Sequence, residues 1–91
     1  MTTEIIRPAS AGTLESSDAY VEIEPCAQGI EINLESVVKT QFGEAIEATI
    51  RETLAACGVE HAKLTVSDRG ALDCVLRARV ETAVARGRRQ D

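Results

Sequence analysis

Two adjacent serines, Ser16 and Ser17, stand in the stretch AGTLESSDAY over residues 11–20, with Glu15 before them and Asp18 after. A serine hydroxyl is a weak nucleophile until a neighbouring base takes its proton. The only imidazole in the chain is His61, just ahead of an alternating segment far along the sequence. Its plain reading is an exposed strand-edge residue, so no Ser-His-acid arrangement is legible. The three cysteines, Cys26, Cys57 and Cys74, form an odd set without CxxC spacing, which argues against zinc. No phosphate-cradling glycine motif occurs, and SDRG at residues 67–70 reads as a turn. The residues that could do chemistry therefore show no catalytic centre, and by themselves Ser16 and Ser17 read as an ordinary N-terminal turn.

The elements that must position these serines follow from periodicity. The chain has 91 residues, the size of one small domain, and apolar residues make up 44% of it. Aromatics are confined to Tyr20 and Phe42, so the core must be Val, Ile, Leu and Ala. Residues 1–18 lack sustained periodicity and are punctuated by Pro8, Ser10, Gly12, Ser16 and Ser17. They read as a flexible N-terminal segment bearing the serines. Residues 19–87 read as one α+β domain and residues 88–91 as a tail.

Ala19, Val21 and Ile23 alternate with Tyr20, Glu22 and Glu24, and Ile30, Ile32 and Leu34 alternate with Glu31, Asn33 and Glu35. Each run is a half-buried strand, and the short link through Pro25 and Gly29 suggests a hairpin. Ser36 is a plausible N-cap for an amphipathic helix whose stripe is Val38, Phe42, Ile46, Ile50 and Leu54, supported by Ala45 and Cys57. Gly43 weakens that helix by roughly 1 kcal/mol relative to alanine, and Gly58 sits where a C′ glycine is expected. Ala62, Leu64 and Val66 mark a third strand; Leu72, Val75, Leu76, Val80, Ala83 and Val84 mark a second helix, fraying near Gly87.

The order ββαβα predicts a two-layer α+β sandwich, a three-stranded sheet with two helices packed on one face. The favoured strand order is 2-1-3, with the first strand central and antiparallel throughout. A crossover from strand two to strand three should be right-handed if those strands run parallel.

The net charge of −5 argues against generic nucleic-acid binding. It is unevenly spread, with three basic and eleven acidic residues over 1–60 and seven basic and four acidic over 61–91. The carboxylates Glu22, Glu24, Glu31 and Glu35 fall on the polar sheet face, a solvated surface first and a recognition surface second. Arg77, Arg79, Arg86, Arg88 and Arg89 form a basic run, read as a solvated helix face favoured by the helix dipole or as a docking patch for acidic groups. No apolar run approaches the length of a membrane span and no signal peptide precedes the domain, so the cysteines are expected to be reduced thiols of a cytoplasmic protein.

Two stretches carry a family resemblance. AGTLESSD (11–18) and GALDCVLRARVE (70–81) resemble the signature segments of the citrate lyase acyl carrier protein, the gamma subunit, and VVKTQFGEAI (37–46) is similar too. The resemblance runs from about Ala11 to Arg86. It implies a non-catalytic carrier subunit of the bacterial enzyme that splits citrate into acetate and oxaloacetate. In that family the first serine after the Thr-Leu-Glu run, here Ser16, carries 2'-(5''-phosphoribosyl)-3'-dephospho-CoA through a phosphodiester. The resemblance further implies that the group's thiol holds acetyl and then citryl, that the alpha subunit exchanges the acyl groups, and that the beta subunit cleaves the citryl thioester. A separate transferase attaches the group, which would explain a serine with no base of its own. Glu15 and Asp18 either guide that transferase or hold the local turn.

The fatty-acid type of carrier is a helical bundle with an Asp-Ser-Leu triplet at a helix start, a pattern absent from this sequence. The carrier subunit of malonate decarboxylase, which uses the same kind of group, is the alternative within the same class. From a different class, the arginine-bearing terminal helix could serve a plain protein- or RNA-interaction module.

Overall fold

The computed structural model describes residues 4–89; residues 1–3 of the expected lead-in and residues 90 and 91 of the expected tail lie outside the described residues. The order is β1 (Ala9–Gly12), β2 (Ala19–Glu24), β3 (Ile30–Ser36), α1 (Lys39–Ala56), β4 (Ala62–Asp68) and α2 (Asp73–Gly87). Both helices lie on one face of a single sheet, as the one-sided apolar patterning requires.

The sheet has four strands, and the expectation of three is corrected. The additional strand, β1, comes from within the presumed lead-in and pairs antiparallel with β2, Ala9 opposite Ile23 and Gly12 opposite Tyr20. Its sequence, ASAG, is too short and too small in side chains to show an apolar period. It is placed by tertiary contacts instead. The N–H groups of Ile6 and Arg7 both donate to Gly87 O (2.9 and 3.2 Å), and Arg86 Nη1 donates to Ser10 O at 2.8 Å. These bonds lay the N-terminal segment along α2, bury Ile5 and cap the helix end that was expected to fray.

The strand order is also corrected. It is β1-β2-β4-β3, so the strand at 62–68 is central and the strands at 19–24 and 30–36 form no hairpin with each other. β4 runs antiparallel to β2 and parallel to β3. Burial supplies the reason. Ala62, Leu64 and Val66 are fully buried at 0%, whereas Ile30, Ile32 and Leu34 are only half-buried, as suits an edge. One intervening strand separates β2 from β3 by roughly 10 Å, a gap that the five-residue link over 25–29 spans easily. The Ala62 N–H donates to Gly29 O at 3.0 Å, tying that link across the start of β4.

Helix α1 buries Ile46, Ile50 and Leu54 together with Thr49 and Thr53, and the Thr53 hydroxyl is satisfied by Thr49 O at 2.7 Å. Its end is a Schellman motif: Val59 N–H donates to Leu54 O, Gly58 N–H donates to Ala55 O, and Gly58 has φ 75°. Its start differs from expectation. Ser36 ends β3 rather than capping the helix, and Phe42, expected in the packed stripe, is 51% exposed. Val38, one turn earlier, does pack against the core, so Phe42 interrupts the stripe, which resumes at Ile46. Leu72, expected at the head of the second stripe, likewise precedes α2 and is exposed.

Candidate functional site: a serine presented by a clamped hairpin

One end of the sheet gathers three junctions: the β1–β2 loop over 13–18, the β3–α1 junction at 37–38 and the β4–α2 junction over 69–72. The chain leaves β1, β3 and β4 at this end and enters β2. Asp68, 2% exposed, binds the junctions together. Its Oδ2 accepts from the Ser36 hydroxyl (2.7 Å), its Oδ1 accepts from Ala71 N–H (3.0 Å), and its carbonyl accepts from Val37 N–H (3.2 Å). Ser36 Oγ in turn accepts from Val38 N–H at 3.1 Å, so that hydroxyl is fully committed to structure.

The loop carrying Ser16 is built from its root outward. Gly12 turns the chain at φ 95°, and a Cβ there would sit 1.8 Å from Ala19 O, so only glycine fits. The Thr13 hydroxyl then donates to Asp18 Oδ2 at 2.7 Å and accepts from Glu15 N–H at 3.2 Å. Asp18 Oδ1 accepts from Ala19 N–H at 2.7 Å. The two ends of the loop are thereby pinched together. Arg79, on α2, closes a bidentate pair on the same carboxylate, Nε to Oδ1 at 2.9 Å and Nη2 to Oδ2 at 2.8 Å. Arg79's hydrogen bonds, aided by those from Thr13 and Ala19, hold the Asp18 carboxyl far below the usual carboxylate range against the opposing effect of burial. Asp18 therefore stays ionised and engaged as a structural anion, with no lone proton affinity left for use as a base.

The returning limb is fixed as well. Ser17 N–H donates to Arg69 O (2.8 Å) and Arg69 N–H donates to Asp18 O (2.9 Å), extending the β2–β4 ladder past the strands. Asp18 N–H donates to Glu15 O at 3.2 Å across a tight turn with Ser16 and Ser17 at its centre. Ser17 takes the left-handed conformation at φ 67°, costly for a side chain and affordable where flanking bonds over-determine it. Ser16 sits at the apex. Its side chain is exposed, and its hydroxyl has no hydrogen-bond partner among the described residues. The three junctions at this end of the sheet each carry an exposed apolar side chain, Leu14 (56%), Val37 (63%) and Leu72 (70%).

The other residues singled out in the sequence lie elsewhere. His61 is at the opposite end of the sheet, with Nδ1 3.6 Å from Glu4 Oε2, and no pair of it with either serine exists. Cys26 and Cys57 are half-buried and Cys74 is exposed, all unpaired; among the described residues no group of His, Cys, Asp and Glu could hold a metal ion. Burial pushes the Cys57 thiol up. The arginine run is largely spent within the molecule: Arg77 on Glu52, Arg79 on Asp18, Arg86 on Ser10 O and Arg88 on Cys57 O. The Arg79 clamp was not foreseen, because its two partners are 61 residues apart and nothing local links them.

The geometry thus holds an exposed hydroxyl out from a clamped turn, with no histidine or free carboxylate hydrogen-bonded to it among the described residues. A family model described as ACP: Malonate decarboxylase delta subunit (MdcD) matches residues 6–87. The citrate lyase acyl carrier protein of Escherichia fergusonii is 60% identical over 88 residues, covering 96% of this chain and 91% of that one. The citrate lyase acyl carrier protein of Klebsiella pneumoniae is 58% identical over 83 residues, 90% of this chain and 86% of that one. In fold, the chain is similar to one in the crystal structure of a Pseudomonas malonate decarboxylase hetero-tetramer in complex with malonate, with TM-score 0.77 and 21% identity over 88% of this chain and 82% of that one. The chain belongs to the citrate lyase acyl carrier protein family. It is accordingly a carrier and not a catalyst, of a kind that works through a covalently attached prosthetic group.

Proposed function

We propose that this chain is the acyl carrier subunit of a citrate lyase and that Ser16 is the residue that bears the prosthetic group, 2'-(5''-phosphoribosyl)-3'-dephospho-CoA, through a phosphodiester. The observation that carries this reading is the apex position of Ser16: an exposed, unpartnered hydroxyl on a turn whose root is clamped by Asp18, Thr13 and Arg79. Such a hydroxyl suits a long charged group, because nothing in the loop has to move aside to admit it. Bound there, the group would supply a terminal thiol for acyl thioester chemistry.

The chain's own residues contribute placement. The Asp18–Arg79 pair keeps the attachment point from collapsing onto the sheet. The tether then raises the effective concentration of the acyl group near each partner's active site. The base for attachment must come from a transferase, since Asp18 is committed and His61 is remote. The partners are the alpha and beta subunits and that transferase. Among the described residues no helix is long and apolar enough to cross a membrane, and three unpaired cysteines suit a cytoplasmic location.

The test is intact mass. Chain co-produced with its maturation enzymes should gain the mass of one group, and peptide mapping should place it on Ser16. Ser16→Ala should abolish the gain, and a fully active lyase assembled with the unmodified variant would refute the reading. A second reading, the carrier of a malonate decarboxylase, is favoured by the matched family description and the fold likeness. Adding the modified chain to carrier-free citrate lyase and to carrier-free malonate decarboxylase separates the two: restored citrate cleavage supports the first, restored malonate decarboxylation the second.

A further inference from the structure

The two edges of the sheet are treated differently. β1 is four residues long, and Arg86 occupies the Ser10 carbonyl, so little of that edge is left to pair. β3 is seven residues long and has β4 on one side only. Half of its main-chain N–H and C=O groups point away from β4, a row of donors and acceptors open to another strand. It carries no proline and no lysine, and its only charges are the exposed Glu31 and Glu35, which guard it against any strand that is not basic.

Beside this edge runs a groove of about 750 Å³, between β3 and α1, floored by Ile32 and Leu34 and flanked by Gly43 and Ala48. Its charged lining is mainly acidic, with Glu35, Glu44 and Glu47 against Arg51, which is itself paired with Glu47 at 3.2 Å. Glu31, also exposed on β3, lies on the sheet's open face, where Lys63 of β4 approaches both it (3.7 Å) and Glu24 (3.9 Å), leaving two carboxylates to one ammonium.

We propose that the free edge of β3 and the groove beside it receive an extended segment of another protein, paired as a fifth strand and carrying basic side chains opposite Glu31 and Glu35. Charge selects the occupant. A second copy pairing antiparallel through β3 about Asn33 would set Glu31 opposite Glu35 twice, and like charges directly opposite destabilise a strand pair. A basic strand replaces both repulsions with attraction, while its alternate apolar side chains cover Ile32 and Leu34. The edge does not depend on the chemistry at Ser16; the carrier reading enters only through the choice of partners in the test.

The experiment is hydrogen exchange on the full chain, alone and in complex with the lyase alpha and beta subunits. Amides of residues 30–36 should slow markedly in the complex, while those of 9–12 keep their rate. Glu31→Lys with Glu35→Lys, both exposed, should weaken the complex about tenfold. Because Glu31 stands opposite Lys63 in β4, Glu35→Lys alone is the control that keeps that pair, and it should weaken the complex with an unchanged circular dichroism spectrum. A complex whose 30–36 amides exchange at the free rate, or whose affinity ignores the double charge reversal, overturns the edge proposal and leaves the carrier reading intact. Edge protection in a complex whose carrier, co-produced with its maturation enzymes, still bears no group on Ser16 overturns the carrier reading alone. No association at all overturns both.

Discussion

The loop over 13–18 and the link over 25–29 are of similar length and lie at opposite ends of the sheet, yet they are held very differently. The link is tied by one main-chain bond, Ala62 N–H to Gly29 O, and its glycine faces open space. The loop over 13–18 is tied at its root, its flank and its turn, through Thr13, Asp18, Arg79 and Arg69. A connection needs only to span its gap. On the proposed reading of Ser16, the loop presents a group to other enzymes, and one conformation serves that, because each partner site reads position as well as chemistry. Rigidity is concentrated below Ser16, and freedom is reserved for its hydroxyl.

The sharpest way to break this contrast is at the hydroxyl itself. Ser16→Ala should remove the mass gain completely, whereas Ser17→Ala should retain it; the reverse result, read by peptide mapping, moves the attachment point by one residue.

Next in size is the glycine comparison. Gly12→Ala meets the Ala19 carbonyl at 1.8 Å and a φ of 95°, and should cost about 3 kcal/mol, on the order of 15 °C in melting temperature. Gly29→Ala, at φ 85° with nothing nearby, should cost only about 1 kcal/mol. Equal shifts in thermal denaturation would mean that the loop over 13–18 is no better fixed than the link.

Asp18→Asn should be intermediate. It leaves Arg79, 38% exposed, facing a neutral amide, for a loss of about 1–2 kcal/mol, and it should slow group attachment through a less defined turn. The same variant carries a pH signature. The Asp18 carboxyl is depressed in the folded chain, so its contribution is complete above the unfolded value of about 4 and is lost as pH falls below it toward the folded value. Wild-type stability should therefore fall more steeply than that of Asp18→Asn below about pH 4 in acid titrations of the melting temperature. Parallel slopes would show that the ion pair contributes nothing.

The smallest effect concerns the thiols. Cys57, half-buried with its thiol pushed up, should be alkylated more slowly than exposed Cys74, measured by mass after brief iodoacetamide treatment.

Much of the architecture was legible before any coordinates. The alternation at 19–24, 30–34 and 62–66 and the stripe ending in Gly58 each depend on residues within a few positions of one another. So do their outcomes, β2, β3, β4 and α1. Phe42 and Leu72 are the exceptions: periodicity marks a face, and it does not say which residues on that face find a partner. Ser16 stood out only through resemblance, because an exposed serine in a turn has no physical signature of its own.

Local pattern, then, determined β2, β3, β4, both helices and most of their inward faces. Tertiary structure alone decided that β4 lies between β2 and β3, that ASAG is a strand, and that Arg79 reaches Asp18 to set the turn. The division has one cause. Which residues face inward is set by spacing along the backbone, but which segments meet is set by competition among distant surfaces for the same buried place, and no run of neighbours encodes that.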